Sequence, residues 1–139
     1  MYNKVDEAFI AGLQAIVGKE NVITDEQPVL KLMESVTVKS VSHITGGGFY
    51  ENIPRSLPKG ISAHIKKSNV QILPIFELIA RTGHIPERDM FNTFNMGVGM
   101  ILSVAQEDAD KAVEILKSAG EDAYILGELT ESEEGVILE

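Results

Sequence analysis

The sequence reads as an α+β domain: a mixed β-sheet with helices packed against it. Apolar residues make up 44% of its 139 positions, enough for one hydrophobic core and typical of a globular domain. Short β-branched or alternating runs at 36–45, 61–65 and 98–105 are separated by stretches with helical apolar spacing. The order is not a clean series of strand–helix–strand units, so a mixed sheet is expected rather than a parallel, doubly wound one.

The elements follow from local signals. Val5, Phe9, Gly12, Leu13 and Ile16 place an amphipathic helix over 4–17, with Asn3 as its cap and Gly18 past its end. Residues 21–25 read as a short extended or turn segment. Pro28 opens a second helix through Glu34. The run Val36–Thr45 is strand at least at its end, and glycines then break it. Glu51–Leu57 reads as a short helical turn and Ile61–Ile65 as a half-buried strand. Pro74–Thr82 is a helix that Gly83 can terminate, and Pro86 starts a turn toward Phe91. Val98–Ala105 is the most strand-like run. Ala109, Ala112, Val113 and Leu116 form the clearest helical stripe, with Gly120 beyond its end. Ala123–Leu129 reads as the next strand and Gly135–Leu138 as an edge strand.

Composition narrows the function. A formal net charge of −9 argues against a nucleic-acid surface, which needs clustered Lys and Arg. Glu128, Glu131, Glu133, Glu134 and Glu139 crowd the C-terminal end and read as a solvated tail. The absence of cysteine removes disulfides, cysteine–zinc sites and thiol nucleophiles. No stretch suits a membrane span, and the first residues lack a signal-peptide core, so a cytoplasmic protein is expected.

The run His43-Ile-Thr-Gly-Gly-Gly48 carries the strongest chemical signal. Three glycines are costly to order, and what they offer is positive φ and close backbone approach. Backbone N–H groups of Gly46, Gly47 and Gly48, with the Thr45 hydroxyl, suit phosphate oxygens. His43 suits proton transfer, since imidazole titrates near neutrality. A tight structural turn accounts for the same residues equally well. The run is neither a Walker A loop nor a dinucleotide fingerprint. Asn52 and Arg55 follow, and Arg55 could grip a phosphate through two parallel bonds; a surface arginine is the simpler reading of it alone. Asn95 and Gly97 lie in a second glycine segment that could line the same cleft or only mark close packing. Glu87 and Asp89 fit the first turn of a helix. His64 and His84 read as structural or exposed, Phe91 and Phe94 as core. No metal-ligand set is read from the sequence.

Taken together, His43-Ile-Thr-Gly-Gly-Gly-Phe-Tyr-Glu-Asn-Ile-Pro-Arg55 and Thr93-Phe-Asn-Met-Gly-Val-Gly-Met100 closely resemble the aminoimidazole ribonucleotide synthetases, also called phosphoribosylformylglycinamidine cyclo-ligases. Leu57-Pro-Lys-Gly60 and the Gly120 turn before Ala123-Tyr-Ile-Leu-Gly127 extend the match. The resemblance implies the C-terminal domain of an enzyme that closes an imidazole ring in purine synthesis, using ATP and Mg²⁺. ATP activates a formyl-amide oxygen as a phosphate ester, and a neighbouring nitrogen displaces the phosphate. It further implies that His43, Thr45 and Gly46–Gly48 line the substrate side of a cleft between two domains. Asn52 and Arg55 would be candidates for holding substrate or phosphate, with Asn95 and Gly97 as an adjacent wall. Residues 28–139 would be that domain, and 1–27 an N-terminal helical extension. Ile16–Asp25 resembles, over its short length, the opening of FAD-linked oxidases of the glycolate oxidase type. Most ATP and Mg²⁺ ligands of the family belong to a preceding domain, so neither is expected to bind tightly to these residues, which should not catalyse alone. A homo-oligomer or a separate N-terminal-domain partner is the corresponding expectation; the competing one is a non-catalytic anion-binding or interaction module that docks on a partner.

Overall fold

Proline and glycine set most of the element boundaries. A computed structural model describes residues 6–19, 22 and 28–139. Helix α1 spans Glu7–Val17; Asp6 caps it by accepting from the Phe9 N–H at 2.8 Å, and Gly18 closes it at φ 90°. The expected cap Asn3 and nearly all of the segment 21–25 lie outside the described residues. Pro28 opens α2, Pro28–Met33. Then follow β1 (Ser40–His43), α3 (Gly48–Arg55), β2 (Ile61–Ile65), α4 (Pro74–Gly83) and α5 (Glu87–Thr93). The chain continues with β3 (Met100–Ser103), α6 (Ala109–Ser118), β4 (Gly127–Glu131) and β5 (Val136–Leu138). No helix among the described residues is long and apolar enough to cross a membrane.

The α+β class holds, with the strands divided between two sheets. β1 and β3 form an antiparallel ribbon that pairs Ser40 with Ser103 and His43 with Met100. The other sheet is mixed, in the order β4-β2-β5, with β2 antiparallel to β4 and parallel to β5. Helix α3 joins them, touching β1, β2, β5 and α5. The main core gathers Ile44, Phe49, Ile53, Ile65, Met90 and Phe91, with Phe94 packed at its edge. Phe49 and Phe91 meet edge to face at 5.3 Å, an arrangement aromatic quadrupoles favour. A smaller cluster of Leu32, Val36 and Ala112 seats α2 against α6.

Four expectations are corrected. The helix expected over 51–57 begins at Gly48, because Gly47 (φ 101°) and Gly48 (φ 52°) turn the chain directly into it. Gly83 stays helical, and His84 ends α4 in the left-handed region at φ 50°. The strand expected over 123–129 starts only at Gly127. Before that point the backbone is tied elsewhere: Leu126 O accepts from Asn69 Nδ2 at 3.2 Å and Tyr124 Oη from the Gln71 N–H at 3.2 Å. Gly127 permits pairing because a Cβ there would strike the His64 carbonyl. The supposed acidic tail is partly sheet. Glu128 and Glu131 lie on the edge strand β4, and Glu139 Oε1 is 3.0 Å from His64 Nε2. Charge on an edge strand discourages edge-to-edge association.

Gly48 is the tightest point of the fold. A Cβ there would overlap the Phe91 carbonyl, standing 2.7 Å from its carbon, at a φ that side chains avoid. Gly48→Ala is therefore expected to cost about 2–4 kcal/mol in urea unfolding. Gly46→Ala has open space around its Cβ and should stay within about 0.5 kcal/mol of the parent.

Candidate functional site

The ribbon brings the two glycine segments together. Beyond the His43–Met100 pair, the Ile44 N–H donates to Gly99 O at 2.9 Å, extending the ladder by one residue. Ile44 is buried in the core, so this end of the ribbon is anchored. The chain then turns: Gly48 N–H donates to Thr45 O at 3.0 Å, and Glu51 N–H to Gly47 O at 3.1 Å. Residues 45–48 thus sit at the N-terminus of α3, beside 97–99.

Asn52 holds this loop from inside. It is buried on α3, and its Nδ2 donates to Gly48 O at 2.8 Å and, at 3.3 Å, to Thr45 O and Gly46 O. With the carbonyls drawn inward, the Gly46 and Gly47 N–H groups carry no hydrogen bond among the described residues. They lie where the helix dipole favours an anion. Arg55 reaches back along the helix, with Nη1 3.3 Å from Asn52 Oδ1 and Nη2 3.1 Å from Glu51 Oε2. Its side chain remains 66% exposed, so the pair with Glu51 is weak enough for an incoming anion to compete for the guanidinium.

The other expected residues take distinct places. His43 and Thr45 are exposed at the end of β1 and the start of the loop. Asn95 Oδ1 accepts from the Gly97 N–H at 3.0 Å, closing a turn in which Met96 (φ 55°) and Gly97 (φ 100°) are left-handed. That turn packs on the segment before α4: a Cβ on Gly97 would stand 3.0 Å from Gln71 O and 3.1 Å from Leu73 Cγ. Asn95 and Gly97 thus form a turn held against residues 71–73, and Asn52 lies beneath the loop. Sequence reasoning overlooked Glu51, the partner of Arg55, whose position four residues earlier on a helix was the available signal. It also overlooked Arg88, whose guanidinium lies 4.4 Å from the Tyr50 ring centroid; nothing in residue spacing foretells that contact.

The loop faces open surface. A cleft of about 210 Å³ lies elsewhere, lined by Ile72, Phe76, Ala80, Met90 and Met96, and a second follows α2 at 33–38. Among the described residues no three His, Asp or Glu side chains converge as a metal site.

Comparison with known proteins identifies the family. A family model described as AIR synthase related protein, C-terminal domain, matches residues 17–139. A phosphoribosylformylglycinamidine cyclo-ligase of Caldicellulosiruptor saccharolyticus is 48% identical over 112 residues, 81% of this chain and 33% of that protein. One of Lachnoclostridium phytofermentans is 54% identical over 104 residues, 75% of this chain and 30% of that protein. A third, of Thermoanaerobacter pseudethanolicus, is 51% identical over 109 residues, covering 78% and 32%. The chain therefore spans about a third of the length of the curated relatives it matches.

The geometry separates two neighbouring residues on α3. Asn52→Ala leaves three carbonyls without their buried donor and should cost about 1–3 kcal/mol in urea unfolding. Arg55→Ala removes only exposed contacts and should cost less than about 1 kcal/mol.

Proposed function

The chain belongs to the AIR synthase related proteins, through their C-terminal domain, and on that premise we propose that its glycine loop is the ribonucleotide side of a cyclo-ligase site in purine biosynthesis. The observation that carries this reading is the Asn52 lock. It fixes residues 45–48 at a helix N-terminus, where the Gly46 and Gly47 N–H groups carry no hydrogen bond among the described residues, on the same helix as the exposed Arg55 guanidinium.

In this reading the Gly46 and Gly47 N–H groups and the Thr45 hydroxyl donate to phosphate oxygens. Arg55 exchanges its contact with Glu51 for the phosphate. Pre-ordering by Asn52 lowers the entropic cost of binding, since the loop already has its bound shape. Asn95 and Gly97 form the adjoining wall. His43, exposed beside the loop, accepts the proton released as the ring nitrogen attacks. ATP supplies the phosphoryl group that makes the formyl-amide oxygen a leaving group. Among the described residues no carboxylate cluster fits Mg²⁺, so no metal step is assigned to them.

Catalysis requires both substrates held in one geometry. The 112 matched residues span about a third of the relative's length and in this reading supply one wall of the cleft, the other wall being the work of a further domain. This reading places the protein in the cytoplasm. A non-catalytic anion-binding module is the second reading, favoured by the openness of the loop to solvent.

Titration with a ribonucleoside 5′-monophosphate, followed by amide NMR, should move the Gly46 and Gly47 signals most, and Arg55→Ala should weaken binding about tenfold or more. Shifts confined to other regions would contradict the reading. ATP- and substrate-dependent phosphate release by the 139-residue chain should be absent, and its presence would overturn the one-wall account. In a full-length relative, replacement of the histidine corresponding to His43 by Asn should lower turnover and alter its pH profile. An unchanged profile would remove the proton-transfer role.

A further inference from the structure

Glu51 does more than pair with Arg55. Its backbone N–H donates to Gly47 O at 3.1 Å, which places it in the first turn of α3. Gly47 is left-handed, with φ 101°, and the side chain it lacks leaves room that Glu51 occupies. A Cβ on Gly47 would stand 2.8 Å from Glu51 Oε2 and 3.0 Å from Glu51 Cβ. The same Oε2 lies 3.1 Å from Arg55 Nη2. One carboxylate thus stands against two of the groups assigned above to the phosphate, the Gly47 backbone and the Arg55 guanidinium.

Charge decides what this contact does. An acidic side chain in the first turn complements the positive end of a helix, and Glu51 does so without any ligand. A phosphate on the Gly46 and Gly47 N–H groups would bring a second negative charge to the same place, and like charges at one site oppose each other. The side chains of Glu51 and Arg55 are 51% and 66% exposed. Such a pair is weak, so Glu51 can swing into solvent without disturbing the core. Asn52, not Glu51, holds the loop carbonyls, so the loop keeps its shape when Glu51 leaves. Arg55 Nη1 also lies 3.3 Å from Asn52 Oδ1, which ties the guanidinium to the residue that holds the loop while Nη2 changes partner.

We propose that Glu51 is a resident anion that regulates the loop, holding Arg55 and covering Gly47 until a phosphate displaces it. The proposal rests on the assignment of the loop to a phosphate ligand. Its consequence is a threshold: an incoming anion must outcompete a carboxylate already in place.

Titration of the 139-residue chain with inorganic phosphate and with a ribonucleoside 5′-monophosphate, read at the Gly46 and Gly47 amides, tests it. Glu51→Gln keeps the size of the side chain and removes its charge. It should tighten binding of both probes about threefold to tenfold, a gain that a damaged fold would not give. In an Arg55→Ala background the same substitution should change affinity less than about twofold, since the guanidinium that Glu51 holds is gone. Unchanged or weaker binding by Glu51→Gln, with the loop signals still moving in the parent, would overturn the regulatory role and leave the phosphate assignment standing. An undiminished gain in the Arg55→Ala background would overturn the exchange through Arg55. Loop signals that stay still in both the parent and Glu51→Gln would overturn the phosphate assignment and this proposal together.

Discussion

The side-chain amide of Asn52 donates into the loop that precedes its own helix, drawing three carbonyls toward one nitrogen. Consecutive glycines lose more backbone freedom on ordering than any other sequence, and a turn of glycines alone would sample many shapes. A buried donor with three local acceptors reduces those shapes to one. In that conformation the Gly46 and Gly47 N–H groups carry no hydrogen bond among the described residues.

That constraint depends on where α3 lies. The helix touches β1 of the ribbon, β2 and β5 of the mixed sheet, and α5. Its apolar side chains Phe49 and Ile53 enter the main core, while Gly48 admits the Phe91 carbonyl at a distance no Cβ would tolerate. The glycine loop is therefore an outcrop of the core. The two glycine segments meet because β1 and β3 pair, and the pairing continues through Ile44 to Gly99.

Much of this was legible in the sequence, and the remainder was hidden for identifiable reasons. The α6 stripe, the proline starts of α2 and α4, and the β2 alternation were readable because each signal is local. The partition into two sheets was not, since the apolar runs 36–45 and 98–105 do not state how many of their residues pair. The late start of β4 depends on contacts of residues 124 and 126 with Gln71 and Asn69, which are remote in sequence. At the site, residues 43–55 were recognised as a group, but Asn52 was expected to face the ligand. An asparagine four residues after a glycine serves equally to hold a phosphate or to hold the loop, and only burial separates the roles. Arg55 and Asn95 show the same limit: both side chains have internal partners that spacing alone does not reveal.

The account stands on the claim that the loop is ordered by Asn52 before any ligand arrives. Solvent exchange of the Asn52 side-chain amide and the Gly48 backbone amide in the ligand-free chain tests this most directly. The account predicts slow exchange at both, since each donates within the loop, with rapid exchange at Gly46 and Gly47. Uniformly rapid exchange across all four groups would show a loop that becomes ordered only on binding, and would contradict it.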